Sequence, residues 1–123
     1  MKLFQPINLT GLKLSSRIAM APLTRRRCDR AHVPVEIMET YYAQRASAGL
    51  IIAEGTSPSP NGAGYANMPG LYNTAQMKAW KKVTDKVHEA GGKIVLQVMH
   101  TGRVSHENNL DNGAKVLAPS AIA

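Results

Sequence analysis

Lys93-Ile94-Val95-Leu96-Gln97-Val98-Met99-His100-Thr101-Gly102-Arg103 is an apolar run that ends in polar residues and opens into a loop. Two earlier segments have the same form, Arg17–Arg25 (RIAMAPLTR) and Gly49–Thr56 (GLIIAEGT). A helix-like stretch separates the first run from the second, and another separates the second from the third. That alternation predicts βαβ units in a parallel sheet. The polar groups gather where each run ends, the place where α/β barrels carry their chemistry.

Length bounds what such a sheet can become. The 123 residues hold at most one domain, and a complete (β/α)8 barrel takes about 250 residues and rarely fewer than about 200. The expectation is an α/β chain in which residues 1–123 form a partial TIM-barrel domain. It would consist of an N-terminal hairpin plus the first three βα units, incomplete alone. The composition, 44% hydrophobic and 19% charged, is that of a globular core former and not of a disordered chain.

The net charge of +7 raises the question of a nucleic-acid partner. The charges are scattered, and aromatics at 5% are too few for stacking platforms, so no nucleic acid is expected. The densest basic run, Arg25-Arg26-Arg27, directly follows a buried-type strand. It suits a loop gripping its own protein or a flavin. Cys28 is the sole cysteine, which excludes an intrachain disulfide and favours a reducing compartment. The opening Met1-Lys2-Leu3-Phe4-Gln5-Pro6 has no apolar leader, and no run approaches the roughly 18 apolar residues of a membrane span. The expectation is a cytoplasmic protein with no membrane partner.

Along the chain, turn residues at Asn8–Gly11 predict a hairpin within Leu3–Arg17. Ile18–Leu23 is the first barrel strand, closed by Pro22 near its end. Pro34 suits the first turn of a helix over Glu36–Ser47, with Ile37, Tyr41 and Ala48 near one face, Met38 and Tyr42 beside them, and Gly49 ending it. Thr56–Asn73 is a long loop of the kind that carries function. Thr74 is a plausible N-cap for a helix over Ala75–Glu89, with Met77, Trp80, Val83, Thr84 and Val87 on one stripe. Gly91-Gly92 stops it. Lys93–Met99 is the third strand.

Chemistry is sought at the strand ends. Thr24 offers a hydroxyl, as a cap or as a donor to a ligand above the sheet. Gly55 permits close approach of a flat ligand, or a tight turn. Gln97 is the one polar side chain within its strand. Its amide presents a donor and an acceptor, which matches an imide edge, and a buried strand glutamine must satisfy both. His100 and His106 are six apart with no third ligand in view, so no metal is expected. Glu54 could act as a base, though a carboxylate there is more often paired with a nearby arginine. No GxGxxG follows a strand, and neither a P-loop nor a GxSxG motif is present.

These segments together resemble the N-terminal third of the Old Yellow Enzyme family, the FMN-dependent NAD(P)H oxidoreductases or ene-reductases. Met20-Ala21-Pro22-Leu23-Thr24-Arg25 resembles its first-strand motif. Tyr41 to Ile52 (YYAQRASAGLII) is similar to its first helix running into strand two. Gly64-Tyr65 and Met68-Pro69-Gly70-Leu71 resemble its next loop, and Gln97 with His100-Thr101-Gly102-Arg103 its third-strand motif. The resemblance implies FMN as cofactor and NAD(P)H as reductant. It implies that Pro22, Leu23, Thr24, Gly55 and Gln97 line the flavin, Thr24 from the O4 side and Gln97 at the pyrimidine-like edge. Tyr65 and Met99 would face the substrate, Met99 standing where many members have tryptophan. Hydride would pass from NAD(P)H to flavin N5 and on to the β-carbon of an activated alkene.

The family's substrate-anchoring pair, proton-donating tyrosine and phosphate-gripping arginine lie in later strands, so no catalytic residue is assigned in this chain. A complementary barrel-completing chain or self-association is the implied partner. The alternative is a non-catalytic, self-associating barrel fragment, since an open parallel sheet has unpaired edges.

Overall fold

In a computed structural model, which describes residues 1–110 and 113–120, the chain begins with the expected hairpin. Strands β1 (Ile7–Leu9) and β2 (Leu12–Leu14) pair antiparallel, with Leu9 opposite Leu12. The two connecting residues, Thr10 and Gly11, both have positive φ, 44° and 97°. A tight hairpin turn needs that hand. The Gly11 N–H also donates to Asn8 Oδ1 at 3.0 Å.

Strand β3 (Ala19–Met20), helix α1 (Glu36–Ala43), strand β4 (Leu50–Thr56), helix α2 (Thr74–Glu89) and strand β5 (Ile94–Val98) follow. The sheet order is β3-β4-β5, and both pairings are parallel, with Ala19 level with Leu50 and Ile51 with Ile94. The alternation of apolar runs and helical stretches therefore builds two right-sized crossovers. The third unit differs from expectation. Beyond β5 the described residues hold only short 3-10 turns, Gly102–Val104 and Glu107–Asn109. This segment is rich in Asn, His and Gly and has no apolar period to support a helix. Among the described residues two βα units and a third strand are present, without a helix to complete the third unit.

Element ends carry the other corrections. β3 is two residues long where six were expected, because it is an edge with one partner and Pro22 has no N–H to extend the ladder. Pro34 stands before the N-cap of α1, which is Val35 in extended conformation. Helix α1 stops at Ala43, and i→i+3 bonds such as Arg45 N–H to the Tyr42 carbonyl (3.0 Å) tighten the chain well before Gly49. Gly49 is instead a point of close approach: a Cβ there would collide with the Ser16 carbonyl oxygen. Asn73, not Thr74, caps α2, its side chain accepting from the Gln76 N–H at 2.9 Å. The Gly91-Gly92 stop is as expected. Gly91 has φ 77°, and the Gly91 and Gly92 N–H groups return to the His88 and Val87 carbonyls, both at 2.9 Å. This is the glycine-ended helix stop that satisfies orphan carbonyls.

The core lies between the helices and β4. Met38 and Tyr42 of α1, Trp80, Val83 and Val87 of α2, and Ile51 and Ala53 of β4 are all buried in one cluster. The expected stripes hold in part, with Met38, Tyr42, Trp80, Val83 and Val87 turned inward, but the residue at the start of each stripe is not. Ile37 is 60% exposed and Met77 54% exposed. Gln76 takes the inward place at the start of α2, fully buried, with its Oε1 accepting from the Tyr72 N–H at 2.9 Å and its Nε2 donating to the Ala31 carbonyl at 3.1 Å. A buried glutamine is tolerated there because both ends of its amide are used. Among the described residues no helix is long and apolar enough to cross a membrane.

Candidate functional site

The three barrel strands end side by side, and the expected site residues stand at those ends. Pro22, Leu23 and Thr24 leave β3 as an open loop, with Leu23 50% exposed. Gly55 of β4 is level with Gln97 of β5, and Thr56 with Val98. That alignment depends on an irregularity. Ile52 pairs with Val95, so a regular ladder would bring Glu54 opposite Gln97. One extra residue on β4 brings Gly55 there instead. Bulges of this kind re-aim side chains next to sites.

Gln97 is exposed rather than buried, because β5 has a partner strand on one side only. Among the described residues its amide and the Thr24 hydroxyl take no hydrogen bond. Met99 lies over Gly55: a Cβ built on the glycine would be 2.8 Å from Met99 Cε. The Met99 N–H donates to the Thr56 carbonyl at 2.9 Å, which holds it in line beyond β5. Tyr65, 40% exposed, sits on the long loop after β4. The loops after β4 and β5 lock together, Thr101 Oγ1 donating to the Gly62 carbonyl at 2.9 Å and Asn109 Nδ2 to the Gly64 carbonyl at 3.2 Å.

Glu54 is sealed, at 0% exposure. One carboxylate oxygen accepts from the Arg25 main-chain N–H at 3.1 Å, and the other accepts from the Tyr42 hydroxyl at 3.0 Å. The expected arginine pairing thus takes the form of a main-chain hydrogen bond. Burial raises the carboxyl above its ordinary value, and the Arg25 and Tyr42 hydrogen bonds oppose that rise. Burial and the neighbouring Glu54 push the Tyr42 phenol up as well, and burial does the same to the Cys28 thiol. Cys28 is therefore an inert core thiol, its Sγ 3.5 Å from Met38 Sδ.

The basic run grips its own protein. Arg26 Nε donates to the Ala66 carbonyl at 3.1 Å. The Arg25 guanidinium stands 5.5 Å from the centre of the Tyr41 ring, and Arg45 lies over the same ring at 3.8 Å. The histidines act as local acceptors: His100 Nδ1 takes the Gly102 N–H at 3.0 Å, and His106 Nδ1 takes the Asn108 N–H at 3.2 Å. Among the described residues no cluster of His, Cys, Asp or Glu is placed to hold a metal ion.

Sequence reasoning missed Gln76, Tyr42 and the bulge at Glu54. The signal for the first was a polar residue at a core position of the helical period. For the second it was a tyrosine one turn from Met38. The bulge leaves no mark in local sequence.

The family model of the NADH:flavin oxidoreductase / NADH oxidase family matches residues 2–123. The chain belongs to that family. A chanoclavine-I aldehyde reductase of Penicillium roqueforti is 47% identical to it, over 99% of this chain and 34% of that protein. A probable flavin mononucleotide-dependent alkene reductase of Leishmania infantum is 41% identical, over 98% of this chain and 33% of that one. The solved structure of an old yellow enzyme homologue from Zymomonas mobilis superposes with a TM-score of 0.93 at 49% identity, covering 99% of this chain and 34% of that chain. The Old Yellow Enzyme resemblance of the motifs is thereby established, and with it the flavin and nicotinamide character of this oxidoreductase family. The chain spans about a third of the length of the curated relatives it matches.

Proposed function

We propose that this chain contributes the β3, β4 and β5 portion of an FMN site in an oxidoreductase that moves hydride from NAD(P)H to activated alkenes (enones, maleimides, nitro compounds). The observation that carries the reading is the placement of Gly55 level with Gln97, beside the Pro22–Thr24 loop, at the ends of three parallel strands. The residues fit the cofactor. Gln97 presents an uncommitted donor and acceptor, which suit an imide edge, and Thr24 an uncommitted hydroxyl suited to a carbonyl oxygen. When bound, FMN supplies a two-electron carrier between a nicotinamide and an electron-poor alkene.

The chain's own residues do the holding. Pro22, Leu23 and Thr24 offer main-chain groups at the end of β3, and Gln97 sets the orientation of the ring from β5. Tyr65 and Met99 border the space for substrate. Glu54 is no general base in this reading, because both of its oxygens are engaged and it is closed to solvent. The alkene class draws support from the likeness to the probable alkene reductase of Leishmania infantum.

The open edges of β3 and β5 are the seats for further parallel strands. Beside β3 runs a groove of about 770 Å³ whose lining includes Ile18, Met20, Leu23 and Tyr41. On β5, Val95 and Val98 are 43% and 63% exposed. In our reading a complementary barrel segment covers these surfaces and brings the residues that act on substrate. The same surfaces favour a second reading, a self-associating fragment without flavin.

The test is a visible spectrum of the purified protein, with and without added FMN, alongside its mass in solution. A flavin band near stoichiometry supports the first reading. Concentration-dependent oligomers without flavin, even after FMN is added, overturn it in favour of the second.

A further inference from the structure

We propose that Glu54 is the positioning residue that fixes Thr24 at the candidate flavin site, with Tyr42 as its brace. The inference rests on the functional reading above and deepens it.

The extra residue of β4 leaves a main-chain group without a ladder partner. The Glu54 N–H, inside the register shift between Ile52 and Gly55, donates to the Tyr42 hydroxyl oxygen at 3.0 Å. That hydroxyl in turn donates to Glu54 Oε1 at 3.0 Å. Residue 54 and Tyr42 therefore close a ring of two hydrogen bonds, which locks the carboxylate in one orientation.

The second oxygen, Oε2, is then aimed at the Arg25 N–H, 3.1 Å away. That N–H belongs to the peptide group joining Thr24 to Arg25. A peptide group is planar, so holding its N–H also holds the plane that contains the Thr24 Cα. Arg25 is fixed at its other end as well, its guanidinium resting near the Tyr41 ring. Glu54, braced by Tyr42, and Tyr41 thus hold the two ends of one loop residue, and Thr24 is its neighbour.

The choice of a carboxylate is informative. Burying it costs free energy, and an apolar side chain would fill the space without that cost. Only a carboxylate accepts in both directions, from the phenol on one side and the loop N–H on the other. Glutamine has one acceptor oxygen. It can keep the Arg25 bond by turning its amide nitrogen toward Tyr42, so it is the conservative variant.

The experiment compares wild type, E54Q, E54L, T24A and the E54L/T24A double variant in the intact protein. Amide hydrogen exchange is read at Arg25 and, as core controls, at Ile51 and Val83. The flavin midpoint potential is read in parallel. In E54L the Arg25 amide is expected to exchange about tenfold faster, the scale of one lost charge-assisted hydrogen bond, while the core amides keep their protection. E54Q is expected to restore much of it. The shift in potential caused by E54L is expected to vanish when Thr24 is already alanine.

Unchanged exchange at Arg25 in E54L would overturn the proposal. So would core amides that lose protection in step with Arg25 in both E54L and E54Q, or a potential shift that is the same with and without the Thr24 hydroxyl. A wild-type protein that takes up no FMN sinks the functional reading instead, and the exchange measurements then decide the Glu54 clamp separately.

Discussion

Met99 packs directly on Gly55: a Cβ on the glycine would stand 2.8 Å from Met99 Cε and 3.0 Å from its Sδ. The glycine is therefore accounted for by the thioether above it, at a point where the strand has no positive φ to demand one. G55A is expected to displace the Met99 side chain toward the substrate space. Because that side chain is flexible, the cost is about 1 kcal/mol, the low end for overpacking. Denaturant midpoints check it. The double variant G55A/M99A should lose less than the sum of its parts, and simple additivity would contradict the packing described.

Gly49 makes the opposite case. What meets its missing Cβ is the Ser16 carbonyl, a main-chain group that joins the hairpin to β3. No rotamer change can relieve that clash. G49A is expected to cost about 3 kcal/mol, the upper end of the overpacking range, seen as a large fall in thermal midpoint. A fall no greater than that of G55A would mean the two chain segments are less closely joined than the geometry states.

How much of this was legible in the sequence follows from the range of each signal. The hairpin turn at Thr10-Gly11, the glycine stop of α2 and the parallel strand order follow from local residue types and periodicity, and they stand. The length of β3 and the exposure of Gln97 depend on how many neighbours a strand has, which no local window contains. The inward place of Gln76 depends on a distant partner for its amide, the Ala31 carbonyl, which no local window contains. The motifs led to the right family, and Gly55 and Gln97, which they singled out, stand level on adjacent strands. The bulge that aligns Gly55 with Gln97 was visible only once β4 and β5 were paired.

Glu54 gives a pH dependence of defined sign. Burial raises its folded-state pKa above the ordinary 4.5. The folded protein therefore binds that proton more tightly than the unfolded chain does. This contribution to stability is fully present below 4.5 and is lost as pH rises through the raised folded value. In E54Q the group no longer titrates. Between pH 4.5 and neutrality, wild-type stability should fall relative to that of E54Q as pH rises. Matched urea titrations across this range measure it, and parallel curves for the two proteins would show that Glu54 keeps its ordinary pKa.

Gln97 separates binding from folding. It is exposed on the edge strand, and among the described residues its amide has no hydrogen bond. Q97L therefore removes nothing from the core, and its effect on stability should stay within about 0.5 kcal/mol, the usual range for surface changes. In the functional reading the same amide provides a donor and an acceptor to the cofactor edge. Two modest hydrogen bonds of about 1 kcal/mol each then correspond to a loss of FMN affinity of roughly tenfold or more, with fold stability held. Flavin fluorescence quenching gives the affinity, and thermal melts without FMN give the stability. If affinity is unchanged while the melts are also unchanged, the glutamine faces away from the cofactor and the imide-edge pairing must be abandoned.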